Sequence, residues 1–227
     1  MKAILFDIDG TLIDSGGAGT RALTRAFEDI FGIGDAFNDI SMAGKTDPQI
    51  MRDALWRYQI ASNDDNHVDL LKLRYIDFLK EEIKISNGRR IMPGIRELLD
   101  HLGELNVQVG LLTGNLEDGA TIKLDAFGLS GYFSFGAFGS DDEDRNRLLP
   151  IAVERIKQNR DISIRPEDVI VIGDTPLDAE CAKVHGAVSV LVATGPYDLE
   201  TLNGIGADFL YSDLSDTDSL IRSLEIF

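Results

Sequence analysis

Short, nearly continuous apolar runs recur along the chain, each ending in Gly, Asp, Ser or Thr: AILFD, VQVGLLTGN, FSFGAFGSDD, DVIVIGDT, VSVLVATG and DFLYSDL. A strand buried on both faces reads as such a run, and parallel strands need a crossover, usually a helix, between them. The intervening stretches GIRELLDHLGEL, LEDGATIKLDAFG, NRLLPIAVERIKQN and PLDAECAKVHG have helical character. This alternation predicts a doubly wound α/β core, a parallel sheet covered by helices on both sides.

One region breaks the pattern. From Gly16 to Arg90 the chain reads as helix after helix, in GTRALTRAFEDIFG, DPQIMRDALWRYQ and HVDLLKLRYIDFLKEEIK, with no convincing strand. In the last of these, Leu70, Leu71, Leu73, Ile76 and Leu79 are expected to form one apolar face. The prediction is an all-helical module, residues 16–90, inserted into a core made of 1–15 and 91–227. Pro93 and Gly94 punctuate the return to the α/β pattern.

Composition limits the partners. Among 227 residues, 39 Asp and Glu stand against 22 Lys and Arg, a formal net charge of −17. Such a surface repels nucleic acid and anionic membranes over long range. No apolar run is long enough to span a bilayer, and the N-terminus lacks the order of a signal peptide, so the expected location is cytoplasmic. Cys181 is the only cysteine and is expected to be a buried, reduced thiol. An anionic small substrate stays compatible with this charge if a metal and local bases reverse the field within one cleft.

In open parallel sheets, ligands bind beyond the carboxyl ends of the strands. The residues there are Asp7, Asp9, Gly10 and Thr11 after the first run, Thr113, Gly114 and Asn115 after another, and Asp174 and Asp178 in GDTPLD. Carboxylates as close as Asp7 and Asp9 repel each other unless a cation, a shared proton or water intervenes. Their hard oxygens suit Mg²⁺, which is held by one or two carboxylates plus substrate phosphate. Such a metal can neutralise phosphoryl oxygens while one carboxylate attacks phosphorus and a second moves protons. Gly10 permits the sharp turn that lets both side chains face one centre.

With DIDGT, LLTGN and GDTPLD in this order and a helical insertion after the first, the chain resembles the haloacid dehalogenase superfamily of phosphohydrolases, in its helical-cap, phosphoglycolate phosphatase-like branch. The resemblance spans essentially the whole chain and implies a Rossmann-like core with a cap. It implies Asp7 as nucleophile, Asp9 as general acid and base, and Thr113 with the Gly114–Asn115 region as donors to the phosphoryl group. Mg²⁺ would be held by the Asp7 carboxylate, the Asp9 backbone carbonyl and Asp174, with Asp178 supporting its water shell. The family normally supplies a Lys to neutralise the nucleophile and the phosphoryl group; here the matching stretch GSDDEDRNRLLPIAVERI has none. Alignment on Pro150 puts Arg147 at that position, and Arg145 competes with it; either stays charged and can donate two hydrogen bonds to phosphate.

In the cap, Lys45 in MAGKTDPQI, with Arg21 as a second candidate, is expected to bind another polar or anionic group of the substrate. The expected activity is Mg²⁺-dependent hydrolysis of a small phosphorylated metabolite by a monomer or homodimer. Three alternatives stand beside it: a β-phosphoglucomutase-like mutase, a metal-independent haloacid dehalogenase and a non-enzymatic binding module. Asp9 and GDTPLD argue against the dehalogenase, which needs neither a second carboxylate nor a metal. GAGTRA, Gly17 to Ala22, matches a loose dinucleotide fingerprint but lies too far past the strand, and reads better as a hinge.

Overall fold

The structure is a computed structural model and describes residues 1–60, 65–160 and 163–226. In chain order its first half runs β1 (Ala3–Phe6), β2 (Ile13–Asp14), α1 (Ala18–Phe31), α2 (Asp47–Arg57), α3 (Asp65–Ile85), β3 (Arg90–Ile91), α4 (Ile95–Gly103), β4 (Gln108–Thr113) and α5 (Glu117–Phe127). The second half runs β5 (Gly136–Phe138), α6 (Leu148–Arg160), β6 (Val169–Gly173), α7 (Pro176–Val184), β7 (Val188–Val192), α8 (Leu199–Asn203), β8 (Phe209–Tyr211) and α9 (Thr217–Ser223).

The main sheet has the order β5-β4-β1-β6-β7-β8, and every pairing in it is parallel. Because side chains alternate along a strand, β1 sends Ile4 and Phe6 to one face and Ala3 and Leu5 to the other. The first pair packs with Leu98, Leu99 and Leu102 of α4 and Leu220 of α9. The second packs with Leu148 and Ala152 of α6 and with Cys181 and Ala182 of α7. Full burial of a Leu or Phe side chain contributes about 1.5–3 kcal/mol relative to exposure. Both faces of β1 therefore favour its central position.

Register carries this order to the site. Phe6 sits opposite Leu111 of β4 and Ile172 of β6, so all three strands reach their carboxyl ends at one rim. Asp7, Thr113 and Asp174 emerge there together.

Helices α1, α2 and α3 build a separate apolar cluster that includes Phe27, Met51, Leu55, Leu71, Tyr75 and Leu79. The expected face of α3 needs correction. Its buried stripe is Val68, Leu71, Tyr75, Leu79 and Ile83, whereas Leu70 and Leu73 face solvent. Spacings of three and four residues keep that stripe on one side; Leu70 and Leu73 fall outside it. A short antiparallel ribbon, unforeseen in the sequence, joins the chain's entry to this layer with its exit: Ile13 faces Ile91 and Asp14 faces Arg90. Gly16 and Gly17 follow at φ +62° and +77°, and a Cβ on Gly16 would lie 2.3 Å from the Asn87 carbonyl. Entry and exit are thus too close for a larger residue. Helix α5 packs Ala120 and Leu124 into the cluster of Ile4 and Phe6 and also contacts α3, and Leu116 just before it joins the apolar cluster of the helical layer.

Candidate active site

Asp7 is the first residue past β1, and its N–H still donates to the Ile172 carbonyl at 3.0 Å. The chain then turns tightly, with the Ile8 carbonyl accepting from Leu12 at 2.9 Å and Ile13 at 3.0 Å. Gly10 is required in this turn: its φ is +82°, and a Cβ would meet Asp174 Oδ2 at 2.3 Å. Thr11 Oγ1 in turn donates to Asp174 Oδ1 at 3.0 Å. Asp178 sits in the first turn of α7, where its Oδ2 accepts from Thr175 N at 3.0 Å and Thr175 Oγ1 at 2.6 Å. This reciprocal capping fixes the carboxylate while it closes the helix end.

One oxygen from each of Asp7, Asp174 and Asp178 lies within 4.8 Å of the others, and all three residues are buried. Burial, partly offset by Arg145 and reinforced by the Asp178 charge, pushes the Asp7 carboxyl up to about 6. Burial and the charges of Asp178 and Asp7 raise Asp174 well above the usual carboxylate range. Three buried carboxylates this close carry more negative charge than one neighbouring guanidinium offsets, which fits a hard divalent cation, and their all-oxygen donor set is the kind Mg²⁺ takes.

The two arginine candidates separate. Arg145, 6% exposed, reaches Asp7 Oδ1 at 3.5 Å through Nη2, contacts Asp178 Oδ1 through the same nitrogen, and donates from Nη1 to the Gly44 carbonyl at 3.1 Å. Although burial opposes it, the carboxylates of Asp178 and Asp7 hold this guanidinium firmly protonated. Arg147, which the alignment on Pro150 favours, lies away from the three carboxylates: its side chain is 71% exposed and pairs with Asp142 at 3.4 Å and Asp144 at 3.8 Å. Both arginines belong to one 3₁₀ turn, Arg145–Arg147, where side chains two positions apart point in different directions.

Asp9, Thr113, Gly114 and Asn115 share the rim. Asn115 Nδ2 donates to Thr113 Oγ1 at 2.8 Å and to Asp9 Oδ2 at 2.9 Å. Gly114 lies under the segment before α2: a Cβ there would be 2.2 Å from the Lys45 carbonyl, and its own carbonyl accepts from Asp47 N at 2.7 Å. A cavity of about 450 Å³ opens at this rim, lined by Asp7, Asp9, Asp174 and Arg145 and also by the apolar Leu23 and Ile50. Lys45 lines it too, with Nζ paired to Asp53 at 2.6 Å. Arg21 does not line it; that guanidinium is held by Glu82, Ser86 and the Gly16 carbonyl.

A sequence profile described as a hydrolase, haloacid dehalogenase-like hydrolase, matches residues 1–186. The chain belongs to the haloacid dehalogenase-like hydrolases. Among its relatives, a phosphoglycolate phosphatase of Rhodospirillum rubrum is 25% identical over 217 residues, 94% of this chain and 88% of that protein. Another, from Aquifex aeolicus, is 27% identical over 216 residues, 95% of this chain and 94% of that protein. Among solved structures, a hydrolase from Pseudomonas syringae superimposes with a TM-score of 0.73 at 23% identity, covering 98% of this chain and 99% of that one. A provisionally named β-phosphoglucomutase from Bacteroides vulgatus gives 0.72 at 19% identity, covering 99% and 89%. At those identities the structures speak for a shared fold.

This haloacid dehalogenase-like hydrolase also brings to the rim residues that sequence reasoning missed. Lys123 of α5 is 3% exposed and lines the same cavity, with Nζ 2.6 Å from Asp9 Oδ2. Burial works against its charge, but Asp9 and Asp47 hold the ammonium above its ordinary range. A signal existed: Ala120 and Leu124 mark a buried side of α5, and a Lys on that side needs an anion. Asp47 is also buried here, one residue past Thr46, the N-cap of α2, and its Oδ2 accepts from Leu116 N at 2.9 Å. Burial carries the Asp47 carboxyl up to about 6.

Proposed function

We propose that this hydrolase is a Mg²⁺-dependent phosphatase of small phosphate monoesters, working through an aspartyl phosphate on Asp7, with residues 16–90 as a cap. The observation that carries the reading is the buried trio Asp7, Asp174 and Asp178, with Arg145 the guanidinium against it. The names of the relatives, phosphoglycolate phosphatases at modest identity over nearly the full chain, support the same substrate class.

In this reading an Asp7 oxygen attacks phosphorus in line with the leaving oxygen, and Asp9 protonates that oxygen as it departs. Thr113, Gly114 and Asn115 orient the phosphoryl group, while Arg145 offsets its charge from a fixed position between Asp7 and Asp178. Asp9 then takes a proton from the water that cleaves the acyl phosphate. Mg²⁺, held by the Asp7 carboxylate, the Asp9 backbone carbonyl and Asp174 with Asp178 behind them, would supply neutralisation of the phosphoryl oxygens. Lys45, released from Asp53, meets a second anionic group on the substrate, and Leu23 and Ile50 wall its organic part.

The test is phosphate release from phosphoglycolate, hexose phosphates, nucleotides and p-nitrophenyl phosphate, with Mg²⁺ or chelator, by the wild type and Asp7→Asn. Release that needs both Mg²⁺ and Asp7 is expected. Release that survives Asp7→Asn would sink the reading, and phosphate moved between sugar positions without release would mark a mutase instead.

A further inference from the structure

The steps above leave the buried ammonium of Lys123 unused. Lys123 Nζ donates to Asp9 Oδ2 and to Asn115 Oδ1, each at 2.6 Å, and Asn115 Nδ2 donates to the same Asp9 oxygen at 2.9 Å. The three groups close a ring. An ammonium has donors only, so its contact selects the amide orientation: Asn115 turns its oxygen to Lys123 and its nitrogen to Asp9 and Thr113. Asp9 Oδ2 is thereby engaged by two donors. Among the described residues its Oδ1 keeps a single long contact, from Ser15 Oγ at 3.5 Å.

A buried ammonium is costly unless it is paired, and an apolar side chain at this place on α5 would avoid that cost. The charge also lies where cap and core meet: a Cβ on Gly19 of α1 would be 3.4 Å from Nζ and 3.7 Å from the Tyr75 hydroxyl. Without Lys123 the Asp9 side chain, 42% exposed, would keep, among the described residues, only Asn115 and the distant Ser15.

We propose that Lys123 is a positioning residue, which braces Asp9 and Asn115 so that Asp9 Oδ1 alone faces the phosphoryl group and accepts the proton of the attacking water. In that step the water oxygen bonds to phosphorus, the P–O bond to Asp7 breaks, its electron pair returns to the Asp7 carboxylate, and one water proton passes to Asp9 Oδ1. The inference rests on the aspartyl-phosphate reading above. It assigns Lys123 to breakdown of the intermediate, and an activated ester, whose leaving group departs without a proton, isolates that half of the cycle.

The experiment is rapid-quench turnover of p-nitrophenyl phosphate with Mg²⁺, with nitrophenol and free phosphate measured separately, for the wild type and Lys123→Met. For Lys123→Met we expect a nitrophenol burst equal to the enzyme present, no phosphate burst, and steady turnover slowed about 100-fold. Unchanged turnover, or a loss without a burst, would mean a merely structural lysine and overturn the inference. Should melting curves report that Lys123→Met does not fold, Lys123→Gln is judged by the same outcomes. A wild type that leaves p-nitrophenyl phosphate intact overturns the inference alone, whereas one inert towards the whole panel overturns the phosphatase reading with it.

Discussion

At position 145 a guanidinium stands between the carboxylates of Asp7 and Asp178, and its planar fork also reaches the Gly44 carbonyl in the segment before α2. A lysine would keep the charge but could not make these contacts from one rigid plane. Losing one hydrogen bond to a charged group costs about 1.5–3 kcal/mol, so Arg145→Lys should lower kcat/KM by roughly 10- to 100-fold. Arg147, paired with Asp142 and Asp144 at the surface, should tolerate Ala within about threefold, as exposed ion pairs contribute little. Steady-state kinetics of the two variants on the best substrate checks the contrast. Equal losses would return Arg147 to the site and break the link between exposure and role.

Between elements, the decisive contact is the N-terminus of α2 on the turn between β4 and α5, made by Asp47 through its N–H to Gly114 and its Oδ2 from Leu116 N. The Asp47 carboxyl rises from 3.8 to about 6, chiefly through burial, so between those values the folded chain binds more proton than the unfolded one. Its contribution is fully present below the lower value, falls as pH rises through the window, and is a fixed cost above about 6. Asp47→Asn keeps an acceptor for Leu116 without the charge. It should raise stability by about 1–3 kcal/mol at pH 7.5, with the gain vanishing towards pH 4, in denaturant titrations at both pH values. A gain independent of pH would refute the burial argument. The strands of the sheet were legible because burial on both faces leaves unbroken apolar runs, as in β1 and β6. The candidate carboxylates were legible because they close such runs. Lys123 was not: its contact with Asp9 spans 114 residues of sequence and exists only through the sheet register and the path of α5. The face of α3 was misread because Leu70 and Leu73 are apolar and nevertheless point outward.

Over the whole molecule, a net charge of −17 surrounds a cavity offered to a phosphate dianion. The cations that line that cavity do not reverse the field, since Lys45 faces Asp53, Arg90 faces Asp14, Lys123 faces Asp9 and Arg145 faces Asp178. Each is locally neutralised, so an approaching anion meets net repulsion until it is close enough to take over a partner. Exposed charges act over about 30 Å at 10 mM salt but about 8 Å at 150 mM. Raising NaCl across that range at saturating Mg²⁺ should therefore increase kcat/KM for a phosphate monoester several-fold, while kcat stays level because the bound complex is shielded from bulk ions. Initial rates over a salt series at fixed free Mg²⁺ measure both. A fall in kcat/KM with salt would mean that the paired cations present a net positive mouth, against the pairing that the structure gives them.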